Sequence, residues 1–187
     1  MRVPPPSVPA EFDGLAIWKM EPPKLLAIVK DPNSTVFQKA IACKKLAFVG
    51  GKDSIQPMAA LLNHPQLACY ARFGLEANPD PSVDDALRAA LPKLTGKLQV
   101  GVITTIGVRK DAKALDALTR LIDDSDPMVA GAAAASVGQI GGMQASRVAL
   151  AFRDGADLWL LEAEGVAARA RLDEVAAHLV LRRTGAR

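Results

Sequence analysis

Leu46, Leu75, Ile106, Val137 and Val166 form an apolar ladder with steps of 29, 31, 31 and 29 residues, and this period constrains the fold more than any other feature of the chain. Eight residues before four of the rungs stand Leu67, Leu98, Val129 and Leu158. Four residues before all five stand Ala42, Ala71, Val102, Ala133 and Glu162. Positions eight, four and zero residues back make one stripe along an α-helix, and small residues in mid-stripe let neighbouring helices approach closely. Only Glu162 breaks the apolar column. A period near thirty residues accommodates one two-helix unit, which cannot bury its apolar stripe alone and needs neighbours of the same kind.

The clearest unit runs from Asp126 to Gly142. Asp126-Pro127 provides an N-cap followed by a residue preset for the first helical position. Val129, Ala133 and Val137 share a face, and Gly141-Gly142 is expected to supply the left-handed turn that ends the helix. Half of the chain is hydrophobic but only 4% is aromatic, so Ala, Leu and Val must fill the core. That composition suits closely stacked helices.

Met1 to Pro23 contains Pro4-Pro5-Pro6, Pro9 and Pro22-Pro23, which forbid a continuous helix and favour extended segments. We read residues 1–23 as a proline-rich strap or tail, and residues 24–187 as the repeat domain. Phe12, Leu15, Ile17 and Trp18 give the strap an apolar cluster, expected to lie against the repeats; the alternative use of Trp18 is to anchor a partner. Lys24 to Lys30 reads as a short capping helix. Repeat one runs from Ser34 to Val49, turns at Gly50-Gly51 and returns over Asp53 to Leu62. Repeat two opens at His64-Pro65, turns at Asn78 and re-enters helix at Asp80-Pro81. Repeat three opens at Thr95-Gly96, lacking the Asp-Pro start, and turns near Lys110-Asp111. Repeat five, over 156–183, loses its glycine turn, as suits a terminal unit.

The Asp-Pro-x-Val opening at 126–129 and the Val-Gly-x-Ile-Gly-Gly closure at 137–142 resemble the HEAT-repeat family in its short bacterial form, which is related to phycobilin lyases. Ala42-Cys43-Lys44-Lys45-Leu46-Ala47, Tyr70-Ala71-Arg72 and Val100-Gly101-Val102-Ile103 are similar to a HEAT module of large bacterial proteins. The resemblance covers residues 24 to about 183. It implies an all-α fold, a right-handed α-α superhelix of about five helix pairs forming a HEAT-like solenoid, with the second helices lining its inner surface.

On that surface, residues seven, ten and fourteen places after each rung share a face. The first row is Asp53, Ser82, Lys113, Gln144 and Asp173; the second is Gln56, Asp85, Asp116, Arg147 and Ala176; the third is Ala60, Ala89, Arg120, Ala151 and Val180. Charges alternate along these rows, and Asp116 is placed to pair with Arg147 of the next unit. Asp85, Lys113, Asp116, Arg120, Gln144 and Arg147 are the expected partner-binding residues, and a protein or peptide is the expected partner. Weak self-association through the open ends of the array is a further expectation.

Catalysis fits the residues poorly. The two histidines, His64 and His178, cannot assemble a His-rich metal site, and His64 reads more simply as a helix cap beside Pro65. Asp84-Asp85, Asp123-Asp124 and Asp173-Glu174 point about 100° apart on a helix, so neither carboxylate of a pair shares a target with the other. Asp123-Asp124-Ser125-Asp126 lacks the mid-loop glycine and the bidentate glutamate of a calcium loop and reads as a turn. No metal or cofactor is expected.

Lys and Arg number 23 against 20 Asp and Glu, a small dispersed excess that does not predict a nucleic-acid surface. No stretch has the ~20 apolar residues of a membrane helix, and residues 1–20 lack a signal peptide's apolar run, so a soluble chain is expected. Cys43 and Cys69 fall on the first helices of consecutive repeats, where a bridge between them is the alternative, and are expected to be a pair of buried thiols. The function expected is therefore a non-catalytic protein-interaction or scaffolding module. The alternative is an accessory lyase or chaperone-type domain handling a prosthetic group such as a bilin.

Overall fold

The computed structural model describes residue 9 and residues 13–141. Every regular element among these residues is helical, in agreement with the all-α expectation: α1 (Gly14–Trp18), α2 (Pro22–Lys30), α3 (Val36–Val49), α4 (Ile55–Ala59), α5 (Ala68–Ala77), α6 (Ser82–Ala90), α7 (Gly96–Val108), α8 (Leu115–Leu121) and α9 (Pro127–Gly141). The chain divides into two compact units, Met1–Ala90 and Leu91–Arg187.

In the first unit α3 packs on α1, α2 and α5, while α4 touches α2, α5 and α6. The rungs Leu46 and Leu75 and the small residues Ala42 and Ala71 are fully buried, as are Leu25, Met58 and Leu87. Gly74 sits where α5 lies close against α4 and α3, because a Cβ there would stand 2.5 Å from Met58 Sδ and 3.1 Å from the Cys43 carbonyl. Helix α3 starts on a capping box: Gln38 N–H donates to Thr35 Oγ1 at 3.2 Å, and Thr35 N–H donates to Gln38 Oε1 at 2.8 Å.

The turn at Gly50-Gly51 is extended rather than left-handed, with φ of −76° and −96°. Space is what demands glycine at position 50, since a Cβ would collide with the Leu46 carbonyl and approach Ser54 Oγ to 2.8 Å. Buried Asn78 then ties two consecutive repeats of the first unit together by donating from Nδ2 to the Gly51 carbonyl at 3.2 Å. The returning helix is shorter than Asp53 to Leu62, because a 3₁₀ turn over Lys52–Ser54 precedes α4 and turns follow it.

In the second unit α9 packs on α7 and α8. Val102, Ile106, Leu118 and Ala133 are fully buried, and Val129 and Val137 are nearly so. Helix α7, which lacks the Asp-Pro start, begins at Gly96, whose φ of +53° favours glycine. It ends in a Schellman closure, with Lys110 N–H donating to the Gly107 carbonyl at 3.0 Å and Asp111 N–H to the Ile106 carbonyl at 3.3 Å. Lys110 occupies the left-handed position of that closure at φ 56°. Helix α9 is capped by Asp126, whose Oδ1 accepts from Met128 N–H at 2.8 Å. It stays helical through Gly141, and the turn expected at Gly141-Gly142 extends beyond the described residues.

Two expectations need correction. The strap is not wholly extended, because Asp13 Oδ1 accepts from Ala16 N–H at 2.9 Å and starts the short helix α1 between the proline clusters. Within the strap's apolar cluster Ile17 is buried, Leu15 is exposed, Trp18 lies at the surface and Phe12 falls outside the described residues. The cysteines also differ: Cys43 is fully buried, whereas Cys69 is exposed. At about 100° per residue, Cys43, three before its rung, stays on the core side, and Cys69, six before Leu75, is carried well off the stripe.

Candidate functional site

The sequence-derived rows lie on the second helices and on the 3₁₀ turns that precede two of them. In the first unit Asp53, Gln56, Ala60, Asp85 and Ala89 are exposed and Ser82 is half-buried, while Val83, Ala86 and Leu87 on the other side of α6 are buried. Asp80 starts this helix by accepting at Oδ1 from both Ser82 N–H (2.9 Å) and Ser82 Oγ–H (2.6 Å). Asp85 is ion-paired with Arg88 one turn along α6, a partner that reading the rows alone did not reveal. An exposed pair of this kind contributes ~0.2–1 kcal/mol, but it presents a carboxylate and a guanidinium side by side.

In the second unit Lys113, Asp116 and Arg120 are all exposed, while Ala114, Leu115, Leu118 and Thr119 turn inward. Asp111 accepts from Lys113 N–H at 3.1 Å and so starts the 3₁₀ turn Ala112–Ala114. Lys113, Asp116 and Arg120 follow at three and four residues' spacing, which places them on one helical face as alternating charges. Gln144 and Arg147 lie outside the described residues, and with them the expected Asp116–Arg147 pair.

Of the residues considered for chemistry, His64 and the acidic run at 123–126 have structural roles, and His178, Asp173 and Glu174 lie outside the described residues. His64 Nδ1 accepts from Gln66 N–H at 3.2 Å, and its carbonyl accepts from Ala68 N–H at 2.9 Å, so it organises the turn before α5. Asp124 Oδ1 accepts from Asp126 N–H at 2.9 Å, making the acidic run a relay of turn and cap. Burial pushes the Cys43 thiol up from an ordinary 9.0 to about 12, against a smaller downward pull from the Lys39 ammonium. Among the described residues no group of three or more His, Cys, Asp or Glu side chains could hold a metal ion. No helix among them is long and apolar enough to cross a membrane.

A second surface escaped the row analysis. On the first helices of the first unit, Trp18, Phe48 and Phe73 form an exposed edge-to-face series, with ring centroids 6.0 Å and 6.2 Å apart. Lys45 Nζ lies 5.3 Å from the Trp18 ring centroid, and Lys44 Nζ lies 5.2 Å from that of Tyr70. The signal available in the sequence was the placement of Phe48 two residues after one rung and Phe73 two before the next. Both are off the buried stripe in a chain with few aromatics.

Residues 85–164 match the family model of HEAT repeats, a stretch that contains α7, α8 and α9 in full. No curated protein matches the chain.

Proposed function

For a chain that belongs with the HEAT-repeat proteins through residues 85–164, we propose the role of a non-catalytic scaffold that docks a protein partner on its second helices. HEAT repeats generally mediate protein–protein interaction. The observation that carries the reading is the sidedness of α6 and of α8, each taken by itself: Asp85 faces solvent over buried Val83, Ala86 and Leu87, and Asp116 and Arg120 face solvent over buried Leu115 and Leu118. A helix held by a buried stripe presents its outer charges from a pre-ordered backbone, which reduces the conformational entropy lost when a partner binds. Alternating charge favours a partner of complementary pattern over a uniformly charged polymer. Gln144 and Arg147 take the equivalent places in the next repeat by sequence spacing and lie outside the described residues.

The test is affinity capture from a lysate of the source cells, with the native chain and an Asp116→Lys/Arg120→Glu variant as baits and mass spectrometry of what each retains. A defined protein retained by the native chain and lost with the variant is the expected result. Equal retention by both baits, or retention of nothing by either, contradicts docking through this face.

A further inference from the structure

The exposed aromatic and cationic surface of the first helices lies apart from the second-helix rows and is put together differently. Phe48 is at its centre and is 69% exposed, far more than an aromatic ring in a structural contact requires. It sits one turn beyond both Lys44 and Lys45 on α3. Trp18 of α1 and Phe73 of α5 each meet it in an edge-to-face pair. The two lysines diverge to opposite sides, Lys45 toward Trp18 and Lys44 toward Tyr70. The aromatic row therefore runs across α1, α3 and α5, and beside it a short cationic row, both of whose members belong to α3, reaches toward α1 and α5. Helix α3 carries Lys39, Lys44 and Lys45 and no acidic residue.

From these two rows we infer that the Trp18–Phe48–Phe73 surface docks an acidic polypeptide segment whose apolar side chains seat on the aromatic row while its carboxylates meet Lys44 and Lys45. Charge complementarity selects the acid. Each ammonium has three donors, and resting over a ring leaves donors directed outward for a carboxylate. Because the rings already hold the ammonium groups, less side-chain freedom is lost on binding. A single nucleic-acid strand also offers negative charge, but it requires open ring faces on which bases stack. Here the Trp18 and Tyr70 rings carry lysines, and Phe48 meets both of its neighbours edge-to-face at interplanar angles of 62° and 63°. The arrangement favours the peptide.

This inference is independent of docking through the second helices, and its failure leaves that reading intact. The test uses the full chain carrying Trp159→Phe, so that Trp18 is the sole indole and reports directly on the surface. Four probes are titrated: a short synthetic peptide alternating Asp and Glu with Leu and Phe, its Lys-for-acid counterpart, its Ser-for-apolar counterpart, and oligothymidylate.

The expected result is a saturable change in Trp18 emission with the acidic apolar peptide, weaker by about tenfold or more for the other three. Lys44→Glu/Lys45→Glu and, separately, Phe48→Ser should each reduce that affinity by a similar factor while leaving the circular dichroism spectrum unchanged. Equal binding of the lysine peptide, preference for oligothymidylate, or no response to any probe overturns the inference. So does a concentration-dependent dimer abolished by Phe48→Ser, which would assign the surface to a second copy of the chain.

Discussion

Ser136 Oγ donates to the main-chain carbonyl of Ile103 at 3.0 Å, a buried hydrogen bond that joins α9 to α7 across a gap too narrow for larger side chains. A Cβ on Gly107 would stand 2.6 Å from the same hydroxyl oxygen and 2.7 Å from Ser136 Cβ. The bond and the close approach are one feature. Ser136→Ala should cost about 1 kcal/mol through loss of the hydrogen bond. Ser136→Val and Gly107→Ala should each cost ~1–3 kcal/mol through overpacking. Urea midpoints that follow this order check the α7–α9 contact; a harmless Gly107→Ala would contradict it.

Cys43 predicts an alkaline limb of stability. Its folded pKa is raised by burial from 9.0 to about 12, so the fold favours the neutral thiol. That contribution is complete below the unfolded value of 9.0 and is lost as pH rises toward about 12, because the unfolded chain ionises first. The slope within this window is about 1.4 kcal/mol per pH unit. Unfolding free energies of the native chain and Cys43→Ala at pH 8 and pH 10 test it: the variant should lose less stability across the interval. In the folded chain an aromatic disulfide reagent should modify exposed Cys69 readily and Cys43 only after unfolding.

Lys110 is a non-glycine residue held at φ 56° in the closure of α7. A side chain in that conformation costs ~1–2 kcal/mol, more than the backbone entropy glycine loses on folding. Lys110→Gly should therefore raise stability by about 0.5–1 kcal/mol, measured as an upward shift in Tm. Lys110→Val, which adds a β-branch at the same φ, should lower it.

The register of the ladder can be checked at two positions on α9. Val137 is 2% exposed in the core, whereas Gln139 is at the surface. Val137→Asp should cost about 3 kcal/mol or more by burying an unpaired carboxylate, and Gln139→Asp should stay within about 0.5 kcal/mol of the native chain. Equal melting of the two variants would contradict the register.

Much of this was legible because it depends on local chemistry. The burial of Leu46, Leu75, Ile106 and Val137, and of the small residues four places before them, follows from helical geometry and a period near thirty. The caps at Asp80 and Asp126 follow from side-chain hydrogen bonding. The exposure of Asp53, Gln56, Asp85, Lys113, Asp116 and Arg120 was legible by the same geometry. Features that depend on contacts between elements were not. Asn78 looked like a turn residue, yet its amide bridges to Gly51 of the preceding repeat. Lys110 fills a left-handed site that a sequence pattern assigns to glycine. The Trp18–Phe48–Phe73 series draws one ring from each of three helices, and spacing within any one of them gives no sign that the rings meet.

The central functional claim is that a partner covers the outer charges of the second helices, and carboxylate footprinting of the captured complex tests it most directly. Asp85 and Asp116 are exposed in the free chain, and exposed Glu21 at the start of α2 serves as the reference. The account predicts that amine coupling to Asp85 and Asp116 falls at least about fivefold when the partner is bound while coupling to Glu21 is unchanged, as burial in a stable interface requires. Unchanged coupling at Asp85 and Asp116 in a complex that remains intact would contradict it.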